Sequence, residues 1–434
     1  MINIYHKFFQ NFQVYLIGLL PAGIIAGPAI IELILLTLSV NFLIDFFYIK
    51  NIKLVLSSKQ KNILKTFALF CFFIIISSLF SDFKLVSLKV SVFYFRYALY
   101  AISLFYFLYK IGNNYNIKII YIFFSITLTI LIFDSLLQIF NEKNVLGQVS
   151  NTEYAQRISG LFGDKFILGS FLQKFFPIYL YILFKCKNSN VSLYDYLLIV
   201  LIFALTFRSG DRSALGLLLL YSVIFFIIQK KLRNKMIVMA LSMSIVVSLL
   251  IWHNPGVYTR YVELTVKQFT GKYYDRYKKD QNQIFLFSFT HHAHYTTAIN
   301  MFFDKPLIGH GPKMFRYKCD KYDIDPVSKY DAFGNVERGR GCSTHPHNYY
   351  VQLLAETGII GFLFLLFFFF SILINLIRVF RNKEYLNNEN YILLIAMFVN
   401  FWPIIPTGNI FNNWVSILYF LPISFYLFEK NRKK

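Results

Sequence analysis

Most of this chain consists of apolar stretches long enough to cross a bilayer, and all but one of the hydrophilic breaks between them are short. A hydrocarbon core of about 30 Å needs about 20 apolar residues per helix, and no backbone other than a helix or a closed barrel satisfies its own polar groups there. Runs of this kind fall at 13–28, 29–48, 63–80, 85–109, 117–140, 166–184, 192–207, 213–229, 236–252, 347–377, 391–406 and 413–428. The expectation is an all-α, polytopic membrane protein of about 12 transmembrane helices. It divides into helices one to nine at 1–252, a large, partly helical outer loop at 253–346, and helices ten to twelve at 347–434.

Composition supports this. Of 434 residues 56% are apolar, 20% aromatic and only 15% charged, which argues against two or three soluble domains. A net charge of +22 would suggest nucleic acid in a soluble protein. Here it collects in membrane breaks: Lys50, Lys53, Lys59 and Lys61; Lys110 and Lys118; Lys185 and Lys187; Lys230 to Lys235; Arg378, Arg381 and Lys383; and the tail Lys430 to Lys434. With twelve helices all of these lie on one side, so the positive-inside rule puts both termini in the cytoplasm and the 253–346 loop on the far face. No nucleic-acid partner is expected. Lys7 leads into an apolar stretch without a convincing cleavage site, so no signal peptide is expected. There is no inverted internal repeat.

The outer loop is basic, with tyrosines and lysines alternating through Lys272 to Lys279, which suits sugars, anionic headgroups or plain solvation. Helical apolar spacing at Val262–Phe269 and His294–Phe303 points to a small subdomain lying on the membrane. Cys319 and Cys342 both fall in this loop, where a disulfide persists in an oxidising compartment. Their pairing would tether the 320–341 insert just before His347 and contribute about 3 kcal/mol by the chain-entropy estimate. Cys71 and Cys186 read as ordinary small thiols.

The chemistry is expected between Gly341 and Gly361, GCSTHPHNYYVQLLAETGIIG, where a polar loop runs into a long apolar helix. Pro346 suits a first helical turn with Ser343 or Thr344 as its cap. If the helix runs on unbroken, Leu354, Gly358 and Gly361 fall within about 40° of His347, leaving a bare face for a neighbouring helix. Charged residues add to this. Arg96 lies near the middle of an apolar run, where it either pairs with Asp134 or forms one wall of an anion site. Arg208 and Arg212 flank the turn Ser209-Gly210-Asp211, with Asp211 as an alternative neutralising partner, and Arg157 precedes the sixth run. Several arginines on one face with few carboxylates suit a diphosphate, which a guanidinium grips bidentately. Asp323-Ile324-Asp325 is too weak a DxD match for a cation site, so neither metal nor cofactor is expected.

His347-Asn348, nine residues, and then Gly358-Ile359-Ile360-Gly361 resembles the histidine motif of the O-antigen ligase and polymerase superfamily of bacterial membrane glycosyltransferases. FFDKPLIGHGPKMFR (Phe302 to Arg316), RISGLFGDKFILGSFL and SGDRSALG are similar to further signatures of that family, so the likeness runs from Arg157 to Gly361. The resemblance implies a metal-independent, inverting glycosyltransferase of the bacterial inner membrane with a periplasmic active site. Its donor would be an undecaprenyl-diphosphate-linked glycan, and its acceptor lipid A-core (a ligase) or a second lipid-linked glycan (a polymerase). A lipid-linked glycan transporter is a third reading, disfavoured by the histidine motif. His347 carries over as catalytic and Arg212 as a diphosphate contact, with Arg208, Arg157, Arg316 and Arg96 as further candidates. The family's second arginine before the PLIGHG segment is missing. His291, His294 or Arg316 would take its place, and Asn348 is another candidate substrate contact. Gly358 and Gly361 would be structural.

Overall fold

The computed structural model describes residues 12–49, 58–112, 114–149, 157–188, 190–266, 288–323, 328–330, 336–338, 340–381, 389–411 and 413–431. The Lys272–Lys279 run lies outside them. Fifteen helices matter here: α1 (Leu20–Ala26), α2 (Pro28–Ile44), α3 (Ser58–Leu79), α4 (Lys84–Val92), α5 (Arg96–Ile111), α6 (Asn114–Asn141), α7 (Leu168–Lys187), α8 (Leu193–Arg208), α9 (Arg212–Ile228), α10 (Arg233–His253), α11 (Phe289–Asp304), α12 (Phe315–Tyr322), α13 (Tyr349–Arg381), α14 (Asn390–Asn400) and α15 (Asn413–Asn431). The strands β1 (Ser328–Tyr330) and β2 (Val336–Arg338) form one antiparallel hairpin.

This is a helical, multi-pass membrane protein. Among the described residues, six helical segments are long and apolar enough to cross a membrane: Pro28–Phe47, Lys61–Leu79, Lys84–Ile111, Asn114–Asn141, Lys230–His253 and Tyr349–Arg381. Other expected runs form helices outside that class, among them the shorter apolar Arg212–Ile228 and Asn390–Asn400. Helices α7 and α14 are buried on nearly every side and make the centre of the bundle, as helices apolar all round must. Helix α10 has no buried residue and presents Ile237, Leu241, Ile245 and Leu249 outward.

Two expected continuous helices are broken. The 85–109 run splits at residues 93–95, so Arg96 opens α5 instead of lying at mid-span. There it meets Glu32 of α2 at 3.5 Å, a carboxylate that also accepts from Tyr100 Oη (2.6 Å). Asp134, the partner expected for it, instead accepts from Val145 N at 3.0 Å. The second break is in α13. Gly358 (φ 64°, ψ −166°) interrupts the helix, and His347, with φ 57°, precedes it. The cap is Asn348, whose Oδ1 accepts from Tyr350 N (2.9 Å) and Val351 N (3.2 Å), in place of Ser343 or Thr344. His347, Leu354, Gly358 and Gly361 therefore do not share one helical face.

Helices α11 and α12 pack with each other and with α13. Ser288 caps α11, which packs on α13. Ala298, Met301, Phe315, Cys319, Tyr322 and Ala355 form a small apolar core separate from that of the bundle. The Cys319–Cys342 disulfide (Cα–Cα 5.2 Å) closes it.

Candidate functional site

The break at Gly358 frees backbone groups, and the PLIGHG segment (306–311) takes them up. Ile359 N donates to Pro306 O (2.7 Å), while Ala355 O accepts from His310 N (3.1 Å) and Glu356 O from Gly311 N (2.8 Å). From α3, Ser77 Oγ donates to Ile308 O at 2.7 Å. The Glu356 carboxylate is fully buried and accepts from Phe315 N (3.0 Å) and Gln352 Nε2 (2.9 Å). Gln352 in turn donates to Asn409 Oδ1 (2.8 Å) and accepts from Ile410 N (3.1 Å). One end of α13 is thereby tied to α3, to the start of α12 and to the 403–411 loop.

That frame holds the histidines. His347 O accepts from Thr407 N at 2.7 Å, and Tyr349 N donates to Thr407 Oγ1 at 3.0 Å. Asn348 Nδ2 donates to Pro403 O (2.9 Å), so its amide is occupied by backbone and positions the loop. A left-handed φ is strained for a residue with a Cβ, and here it turns the imidazole of His347 back over the site. Its ring lies 4.1 Å from that of His345, 5.4 Å from His291 and 5.4 Å, stacked, from His294. His291 and His294 come from neighbouring positions on α11. Burial first, then the neighbouring imidazoles, pushes His347 down to about 3. Burial and nearby positive groups take His345 and His291 to about 4, and burial lowers His294. All four are neutral at pH 7, the state in which an imidazole accepts a proton.

Next to them is the α8–α9 turn. Asp211 caps α9 by accepting from Ala214 N (3.0 Å) and also accepts from Ser170 Oγ (2.9 Å), so its carboxylate is engaged with α7 and α9. Arg157 Nε donates to Ser209 O (3.1 Å) and Arg260 Nε to Gly210 O (2.7 Å). Arg212 Nη1 donates to Thr265 Oγ1 (3.0 Å), Arg208 is buried at the end of α8, and Tyr261 stacks on Phe207 at 4.6 Å. Burial lowers the pKa of both Arg157 and Arg260, and each adds to a cluster that still carries full charge. The charge of Arg212 is felt at His291, which makes the turn and the histidines neighbours. One turn along α7 from Ser170 is Lys174, buried, with Nζ 3.5 Å from Ser170 O and 5.4 Å from the centre of the Tyr419 ring. Among the described residues no carboxylate pairs with it. Arg96 and Arg316 are not part of this group: Arg96 is with Glu32, and Arg316 is exposed on α12, acting on His345 and Glu356.

Residues 197–366 match the family described as O-antigen ligase, a span that holds Arg208, Arg212, the four histidines and both glycines of the break. The match supports the O-antigen ligase/polymerase superfamily. Comparison with the curated proteins finds no match. Arg157 and Lys174 lie before the matched span; Arg157 reaches the same turn at Ser209 O, and Lys174 lies by Ser170, whose hydroxyl donates to Asp211. Sequence reasoning missed Arg260 and Lys174. Arg260 sits in the basic loop with nothing to single it out, but a lysine inside the 166–184 apolar run was a legible signal, since such a cation asks for an anion. It also missed His345 as a neighbour of His347, because residues two apart do not share a helical face.

Proposed function

We propose that this protein transfers a glycan from an undecaprenyl-diphosphate donor to lipid A-core at the periplasmic face of the bacterial inner membrane. His347 accepts the proton of the attacking hydroxyl, and the guanidiniums of Arg157, Arg208, Arg212 and Arg260, with Lys174 beyond them, offset the charge that develops on the departing diphosphate. The reaction inverts the anomeric centre and needs no metal, because fixed cations supply the electrostatic stabilisation. The observation that carries this reading is a neutral histidine held in a strained backbone conformation beside a turn ringed by arginines. Strain of that kind is retained where a side chain must be aimed.

The reading is tested by deleting the gene and resolving the cell's lipopolysaccharide on a gel. Loss of all transferred glycan, leaving lipid A-core alone, is the expected result. A single repeat unit left on lipid A would instead assign the protein as a polymerase, whose acceptor is another lipid-linked glycan. Unchanged lipopolysaccharide would overturn both.

A further inference from the structure

Helix α11 carries apolar side chains on two faces, and the protein core uses one of them. Ala298 and Met301 enter the small core shared with α12 and α13, on the side from which His294 reaches His347. Ile299 and Phe303 lie about 150° around the helix from that face, by its turn of about 3.6 residues. Phe303 is 72% exposed, and Leu307, four residues further on and past the end of the helix, is 65% exposed. A helix at the edge of a core needs one apolar stripe, so a second stripe calls for a second cover.

Contacts bring more apolar surface beside it. Lys305 Nζ lies 3.5 Å from Asp82 Oδ1, and Lys318 Nζ pairs with the other oxygen of the same carboxylate, so the segment after α11, the α3–α4 turn and α12 meet at Asp82. Next to Asp82, Phe83 packs against Tyr317 with ring centroids 5.4 Å apart, and Phe80, Phe83 and Tyr317 are all exposed. Two membrane-crossing segments fix the level of this surface. The segment Lys61–Leu79 ends where Phe80 begins, and Ser77 Oγ in its last turn donates to Ile308 O at 2.7 Å. Gly358 lies within the segment Tyr349–Arg381, and a Cβ there would run into the backbone of Leu307. The backbone of Leu307 is thus wedged between the end of one crossing segment and the break in another, while its side chain stands clear of both. Apolar and aromatic side chains flanked by lysines at the end of a crossing helix suit a membrane–water interface, where rings sit at headgroup level and lysine stems lie along apolar surface with their ammoniums in water.

We propose that the face formed by Ile299, Phe303 and Leu307 with Phe80, Phe83 and Tyr317 docks on the headgroup layer of the bilayer on the side of the histidines, and so sets the height of His347 above the lipid. Its continuity with two crossing segments, and the two lysines that share one carboxylate, favour a lipid surface over a protein partner. The docking stands apart from the transferase reading, whereas the use made of it rests on that reading. A diphosphate carried by a lipid lies at headgroup level, so a base held at a fixed height meets the sugar attached to it.

The test uses the full-length protein with Cys71→Ser and Cys186→Ser, so that a nitroxide attaches only at an introduced cysteine, in phospholipid vesicles. Labels at Phe303→Cys and Leu307→Cys are compared with one at Leu363→Cys, which is exposed on α13 beyond the break. All three are expected to collide more with oxygen, which partitions into lipid, than with a water-soluble nickel complex. Labels at 303 and 307 that favour nickel would place the face in water, and labels shielded from both would give it a protein cover; either result overturns the proposal. The effect on height is read with Leu307→Asp. This variant should lower transfer from a lipid-linked donor in vesicles by up to about 10²-fold, the cost of misplacing reacting groups by about 1 Å, and leave transfer from a short-chain donor in detergent unchanged. An equal loss with both donors, or no loss with either, would overturn the role in height. A wild-type protein that transfers from neither donor would overturn the transferase reading and leave the labels to decide the docking.

Discussion

Gly309 and Gly358 lie against each other's strands of backbone, both with left-handed φ (68° and 64°). A Cβ on Gly309 would run into Glu356 and Thr357, and one on Gly358 into Leu307 and Ile308. What Gly358 makes room for is therefore a loop, not the neighbouring helix that an unbroken α13 would imply. The broken helix supplies the hydrogen-bonding groups and the loop completes them, so neither conformation stands without the other.

Gly358→Ala and Gly309→Ala should both lower the yield and thermal stability of the folded protein, since a non-glycine residue there meets about 1–3 kcal/mol of backbone strain in addition to the clash. Gly361→Ala escapes the backbone strain, since its φ is not left-handed, but its Cβ would fall on Oγ1 and Cβ of Thr357, which must shift, so it too should lower stability. Thermal unfolding of the purified proteins ranks the three, and a Gly358→Ala protein as stable as wild type would contradict the account of the break.

Removing the base should leave the fold intact. His347→Gly and His347→Asn both tolerate φ 57°, and each should reduce transfer about 10²- to 10⁴-fold with donor binding nearly unchanged. His345→Ala should lose less. Equal, modest losses at both positions, measured at saturating donor, would mean that the histidines only shape the loop.

The pH dependence has a defined sign. In the resting protein His347 is pushed down to about 3 and His345 and His291 to about 4. A bound diphosphate favours imidazolium and so raises these values back toward about 6.5. The acid limb of kcat should therefore lie at higher pH than that of kcat/KM. Because the folded-state values lie below the unfolded one, each group's contribution is fully present above about pH 6.5 and is lost as pH falls from there toward about 4. Melting temperatures at pH 7.5 and pH 5 should differ accordingly. A kcat limb at or below that of kcat/KM would argue against a diphosphate near His347.

Arg212→Lys keeps charge but loses the planar fork, so transfer should fall steeply, and Arg212→Ala should fall further. Arg260→Ala and Lys174→Met should raise the donor KM more mildly, by about tenfold for one charge-assisted contact. Steady-state kinetics with varied donor measures all four. Wild-type rates in Arg212→Ala would place the diphosphate elsewhere.

Topology is checked with reporter fusions. Alkaline phosphatase should be active when fused near Gly341 and inactive at Lys434, as expected from the basic ends of α7 and α13 and the basic run 230–235 that follows α9. The reverse pattern would put the histidine cluster on the wrong side of the membrane for a periplasmic donor.

Much of this protein is legible in its sequence for a local reason. Apolar run lengths report helices, and a cysteine pair in one loop reports its own closure, as Cys319 and Cys342 do. The histidine motif around His347 and the arginine turn at 208–212 are likewise contiguous in the chain. What the tertiary structure alone decided is long-range. Periodicity assumes an unbroken helix, so it could not register that Gly358 opens α13 for residues 306–311, or that His347 stands outside the helix with φ 57°. Charges along a chain carry no record of their partners: Arg96 met Glu32 and not Asp134, and Arg260 reached back to Gly210. Each of these pairings is set by how separate helices pack. Packing is a property of all the surfaces at once, which no single stretch of sequence contains.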